Sequence, residues 1–179
     1  YLTPLGRVPV NKEIANKLIN DNRIFDFPTN AHLQEHSIEV QLPLIQYYFN
    51  SKPPVVPVII GTSNETTIKK IAEALRPWFT PDNLFIISSD FSHYPPYKDA
   101  ITADNSTAQG LISGDPQTFL KALKNNSLKH IDGLATSMCG WSSGLALLYL
   151  SEGNKNLKYK LLDYCNSGDS SYGDKDGVV

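Results

Sequence analysis

Apolar residues recur along this chain with two spacings, and the spacings predict helices alternating with strands. In NKEIANKLI the positions Ile14, Leu18 and Ile19 line one side of a short amphipathic helix. From Ser37 onward, Ile38, Leu42, Ile45, Tyr48 and Phe49 keep helical spacing. Pro43 inside that run removes a backbone donor and predicts a kink near the first turns. VVPVII (residues 55–60) and LFIISS (84–89) are short apolar runs rich in β-branched residues, the mark of buried strands. Between them, Thr62 and Glu65 form a capping-box pattern ahead of a helix whose core face is Ile68, Ile71, Ala72, Leu75 and Phe79.

LFIISS leads into DFSHYPPY, where paired prolines forbid immediate regular structure. A weakly patterned helix is expected over 100–113. Asp115-Pro116 is an N-cap and first-turn pair for a helix carrying Phe119, Leu120 and Leu123. A helix from about Gly140 to Leu150 is apolar on every side and should be buried. LKYKLLDYC (157–165) alternates at first and reads as a third strand, and NSGDSSYGDKDG is a polar loop. Strands alternating with helices indicate an α/β sheet with helices on its faces. No repeat, low-complexity tract or linker divides the chain, so residues 1–179 are expected to form a single α/β domain.

Composition narrows the function classes. Hydrophobic residues at 41% and charged residues at 19% are those of a folded globular chain. A net charge of −2 and a pI near 6.1 offer no general attraction for nucleic acid or anionic lipid. No apolar run reaches the length of a membrane span, and no signal-peptide core opens the chain, so neither nucleic acid nor membrane is an expected partner. Two cysteines do not make a disulfide framework, which favours a reducing, cytoplasmic setting. The chain opens YLTPLG without Met and stops at DGVV, where an apolar strand starts, so a piece of a longer protein is expected.

Functional loops of open α/β sheets lie beyond the carboxyl ends of the strands. Asp90 and His93 stand there, after LFIISS, in a polar cluster with Ser88, Ser89 and Ser92. A carboxylate beside an imidazole fixes its tautomer and raises its basicity, as general bases and ligand shells require. D-x-x-H is nevertheless a common string, and an Asp capping a turn beside a packed His is the ordinary reading. Cys139 in SMCGWSSG lies at the start of the expected buried helix, where dipole and free N–H groups favour the thiolate, a nucleophile or soft metal ligand. A lone Cys is more often a small buried hydrophobe. His36, in EHSIEVQLP, reads as a metal ligand, a general base or a helix-start histidine. His32 and His130 read as surface residues, and Cys165 as structural. Three classes stay open: a metal site on His36 and Cys139 with His93 as acid or base, a Cys139 nucleophile, and a non-catalytic binding surface. No C-x-x-C, H-E-x-x-H, P-loop or G-x-G-x-x-G decides among them.

Taken together and in order, EHSIEVQLP, NLFIISSDFSHY, MCGWSSGLALL and YCNSGDSS resemble the Memo family. Its bacterial and archaeal members are called AmmeMemoRadiSam system protein B, and its eukaryotic namesake is a mediator of cell motility. The likeness runs the length of the chain and covers about the C-terminal two-thirds of a family member. It implies a fold like the class III extradiol dioxygenases, with a mixed or mostly parallel central sheet, helices on both faces, and the N-terminal strands lacking here. It implies a pocket with His36 and Cys139 as metal ligands, lined by Asp90 and His93, with His93 as the acid/base group. A further His ligand belongs to an N-terminal P-H-A-G-type motif that this sequence does not contain. Imidazole with thiolate suits iron or copper, and also zinc. A Cys where the dioxygenases have a carboxylate changes the metal's ligand field, so the resemblance does not carry ring cleavage with it. It implies a small-molecule or peptide substrate, with AMMECR-type and radical-SAM proteins as partners. The alternative is a non-catalytic protein- or peptide-binding module on the same fold.

Overall fold

The computed structural model describes residues 1–49 and 53–179, which form a mixed α/β chain of seven helices and one small sheet. They gather into two compact units, Tyr1–Ser88 and Ser89–Val179.

In the first unit, strands β1 (Leu2–Thr3) and β2 (Gly6–Arg7) pair antiparallel, with Leu2 opposite Arg7. Thr3 Oγ1 lies 2.6 Å from Gln46 Oε1, which ties this ladder to helix α3 (Ser37–Phe49). Helix α1 (Lys12–Asp21) starts where the Asn11 side chain accepts from the Ile14 amide, and it buries Leu18. Helix α2 (Thr29–Gln34) is a short approach to α3. Helix α4 (Glu65–Leu75) buries Ile68, Ile71 and Ala72, as the spacing predicts. Its cap is Asn64, whose side chain accepts from the Thr67 amide, rather than the expected Thr62; Thr62 Oγ1 instead accepts from Asn64 N–H. The helix stops before Pro77 in a 3₁₀ turn, Arg76–Trp78, so Phe79 lies beyond it.

The second unit is built on helices α5 (Tyr97–Ile112), α6 (Pro116–Leu128) and α7 (Trp141–Ser151). Asp115 caps α6 as expected, and Phe119 is fully buried. Residue α7 positions Leu145, Ala146, Leu148, Tyr149 and Leu150 are buried around the helix, matching a sequence that is apolar on all sides. The surprise is α5. Its buried face is Ala100, Ala103, Asp104, Thr107, Ala108 and Gly110, small or polar residues that leave little hydrophobic signature. Small side chains let α6 come close: a Cβ on Gly110 would lie 3.0 Å from Ala122 Cβ and 3.1 Å from Phe119 Cα.

Two expectations are corrected. Among the described residues there is no central sheet with helices on both faces. Segments 55–60, 84–89 and 157–165 form no ladder, and Val55 makes only a single parallel bridge to Val10. A strand exists only where a neighbour takes its N–H and C=O groups. None of the three runs is paired along its length with a neighbouring strand, and Leu84, Ile86, Leu161 and Leu162 are exposed. The second correction concerns α3. Leu42 is buried, but Tyr48 is 82% exposed and Phe49 is exposed too, so the expected apolar face covers only part of the helix.

Candidate metal centre

The chain leaves residues 84–88 as a loop that must turn sharply before Pro95 and Pro96. It does so at Tyr94, whose φ of 71° is uncommon for a residue with a Cβ. Gly133 makes room: its φ is +69°, and a Cβ there would come within 2.5 Å of the Tyr94 carbonyl oxygen. The backbone of His93 is pinned on both sides by the residues after α6. Its N–H donates to the Thr136 carbonyl at 3.1 Å, and its carbonyl accepts from Ala135 N–H at 3.0 Å.

A second connection brings in the start of α7. Cys139 N–H donates to the Asp90 carbonyl at 3.2 Å. Ser89 Oγ accepts from Gly140 N–H at 2.7 Å, donates to the Asp90 carbonyl at 2.8 Å, and lies 3.4 Å from Cys139 Sγ. Ser89 thus joins the loop to the helix start and sits against the sulfur. The sequence marks it only as one of several serines in a polar cluster; no spacing singles it out.

These bonds converge three donor side chains. Asp90, His93 and Cys139 each offer a ligand atom, and the three atoms lie within 4.8 Å of one another. Asp90 Oδ2 stands 4.0 Å from His93 Nε2, too far for a hydrogen bond. Asp90 is exposed, whereas the His93 side chain is only 22% exposed and its ring packs edge-on against Tyr94. His93 Nε2 itself is buried and has no hydrogen-bond partner among the described residues. A buried polar atom left unpaired costs roughly 1–3 kcal/mol, so something should be expected to bind it. Ligand bonds of about 2.0–2.3 Å in a tetrahedron place donor atoms roughly 3.3–3.8 Å apart. Contraction from the observed spread is about 1 Å, within reach of side-chain rotation. The donor set therefore fits a metal ion.

The expected pair Asp90 and His93, together with Cys139, is assembled wholly within the second unit. His36 belongs to the first unit. Its carbonyl accepts from Val40 N–H, placing it at the start of α3, and its side chain is 85% exposed, with Nδ1 3.9 Å from Glu35 Oε1. Glu35 supports the helix start as well: Oε1 accepts from the Ser37 amide at 2.7 Å. That backbone hydrogen bond holds its carboxyl below the usual range. Of the remaining candidates, His130 is exposed, His32 is half-buried against Phe27, and Cys165 is an exposed free thiol.

A family model described as Memo-like protein matches residues 1–179. A MEMO1 family protein of Sulfurisphaera tokodaii is 32% identical over 183 residues, covering 100% of this chain and 61% of the relative. One from Methanosarcina barkeri is 33% identical over 183 residues, covering 100% of this chain and 64% of the relative. One from Saccharolobus solfataricus is 29% identical over 181 residues, covering 99% and 60%. The chain thus spans about three-fifths of the length of the curated relatives it matches. No solved structure matches it.

Proposed function

This chain belongs to the Memo-like protein family, and on that premise we propose that it is a metal-binding protein with Cys139 as a ligand and redox chemistry as its task. The observation that supports this most is the convergence of Asp90, His93 and Cys139 donor atoms within 4.8 Å, with His93 Nε2 buried and unpaired. A thiolate and an imidazole together favour iron, copper or zinc over calcium or magnesium, which prefer oxygen. Iron or copper, when bound, would supply one-electron or oxygen chemistry.

The chain's own residues would divide the work by their surroundings. Cys139 is at the surface, where its sulfur can meet an incoming ion. Asp90 is exposed and can ligate or help orient the imidazole. His93, held by its backbone and packed edge-on against Tyr94, would direct Nε2 at the ion as the imidazole donor. His36 enters through the family likeness, as a ligand carried at the start of α3. The fold would be related to that of the class III extradiol dioxygenases.

Metal content of the full-length gene product, purified from medium supplied with iron, copper and zinc, tests the reading. Wild type should retain about one ion per chain. Cys139→Ala should lose most of it, and His36→Ala should reduce it. Equal metal in wild type and Cys139→Ala would remove the ligand assignment.

A further inference from the structure

Asp104 lies on the buried face of α5 at 3% exposure, a carboxylate that the metal-site reading does not use. Among the described residues no cation pairs with it. Burying an unpaired carboxylate is expensive, and apolar residues of similar size often serve stability better. What satisfies it is two hydrogen bonds running in different directions. Oδ1 accepts from the Ser92 backbone N–H at 2.9 Å, and Oδ2 accepts from the Tyr164 hydroxyl at 2.6 Å.

Each bond leads to a segment with a separate anchor. Ser92 is between Asp90 and His93, and its own hydroxyl is buried without a hydrogen-bond partner among the described residues. Its amide is therefore the polar handle by which the core holds this loop. Tyr164 begins the YCNSGD stretch and accepts from Asn166 Nδ2 at 3.2 Å. Asn166 and Asp169 then cap a 3₁₀ turn reciprocally, and Asp169 accepts from the Tyr97 hydroxyl at the start of α5. Burial first, and then the bond to Asp104, push the Tyr164 phenol well above its ordinary range, so it stays a donor at any physiological pH.

Resting on the metal-site reading above, we infer that Asp104 is the positioning residue of the Asp90, His93 and Cys139 group: its carboxylate, oriented by Tyr164, holds the Ser92 amide and thereby sets the Asp90 and His93 side chains relative to Cys139. Asp90, two residues before Ser92, and His93, directly after it, supply two of the three donors, so a change in the backbone at Ser92 would shift one relative to the other. Backbone bonds to Thr136 and Val178 fix His93 and Tyr94 from outside. Asp104 fixes the same loop from the core.

The experiment has two arms, both on the full-length protein. In the first, amide hydrogen exchange at Ser92 is followed by NMR in wild type, Asp104→Ala, Asp104→Asn and Tyr164→Phe. Asp104→Asn keeps one carbonyl oxygen for the Ser92 amide, so it should stay near wild type, while Asp104→Ala should exchange at least about tenfold faster. Tyr159→Phe, which removes a hydrogen bond to Ser151 elsewhere in the same unit, is the control for general loosening. In the second arm, Zn²⁺ is titrated calorimetrically, and Asp104→Ala should bind about 10–100-fold more weakly, with Asp104→Asn closer to wild type. If Asp104→Ala does not fold, Tyr164→Phe must still speed Ser92 exchange and weaken Zn²⁺ binding. Unchanged Ser92 exchange in Asp104→Ala or Tyr164→Phe overturns the inference, as does an effect no larger than that of Tyr159→Phe. Failure of wild type to bind Zn²⁺ would count against the metal reading instead, and the exchange arm would still decide the role of Asp104.

Discussion

Asp115 stands one residue ahead of α6 and accepts from both the amide and the hydroxyl of Thr118, each at 2.6 Å. Those bonds, the hydroxyl's first, hold its carboxyl below the ordinary range. Its stabilising contribution is therefore complete above the unfolded carboxylate value and is lost as pH falls through the lower folded value. Asp115→Ala should cost about 1 kcal/mol by urea denaturation near pH 7, and the gap to wild type should close as the pH is taken below about 4. A gap that stays constant into acid would show that the charge has no part in the cap. Gly133 makes a sharper case, because a side chain there must displace the Tyr94 carbonyl beside His93. Gly133→Ala should destabilise the protein by at least about 1 kcal/mol and move the His93 ring resonances in NMR spectra. At this scale the sequence was informative but incomplete. Asp90, His93, Cys139 and the Asp115 cap all stand out as residue types in plausible places. The nearness of Asp90 and Cys139 does not, because it rests on bonds spanning 49 residues of chain. Ser89 and Asp104 carry no sequence signal of their own; a serine among serines and an acid in a weak helix pattern look ordinary.

Among the elements, legibility follows the chemistry of the buried face. Helix α4 packs with isoleucines and α7 with leucines, so both could be read from spacing. Helix α5 packs with alanine, threonine, aspartate and glycine, and its close contact with α6 replaces hydrophobic bulk by proximity. That contact makes a direct prediction: Gly110→Val should destabilise by about 1–3 kcal/mol through overpacking against Phe119 and Ala122, despite valine's better helix propensity than glycine's. A neutral or stabilising result by thermal or urea unfolding would mean the two helices can separate freely. Segments 55–60, 84–89 and 157–165 failed for a different reason. Their composition is that of strands, but a strand is defined by its partner, and composition says nothing about whether a partner is within reach.

At the level of the whole molecule, a Memo-like chain spanning about three-fifths of its relatives holds a cluster of carboxylate, imidazole and thiol within one of its two compact units. No helix among the described residues is long and apolar enough to cross a membrane. The net charge of −2 leaves local geometry, rather than bulk electrostatics, to attract a cation. Everything functional in this account therefore depends on whether Cys139 sulfur binds metal. Cobalt(II) reports that directly, because a thiolate ligand gives a near-ultraviolet charge-transfer band that oxygen and nitrogen ligands do not. Titrated into the reduced full-length protein, cobalt should raise this band in wild type and in Cys165→Ser, and it should be absent in Cys139→Ser. A band that survives Cys139→Ser, or none in wild type, would contradict the account.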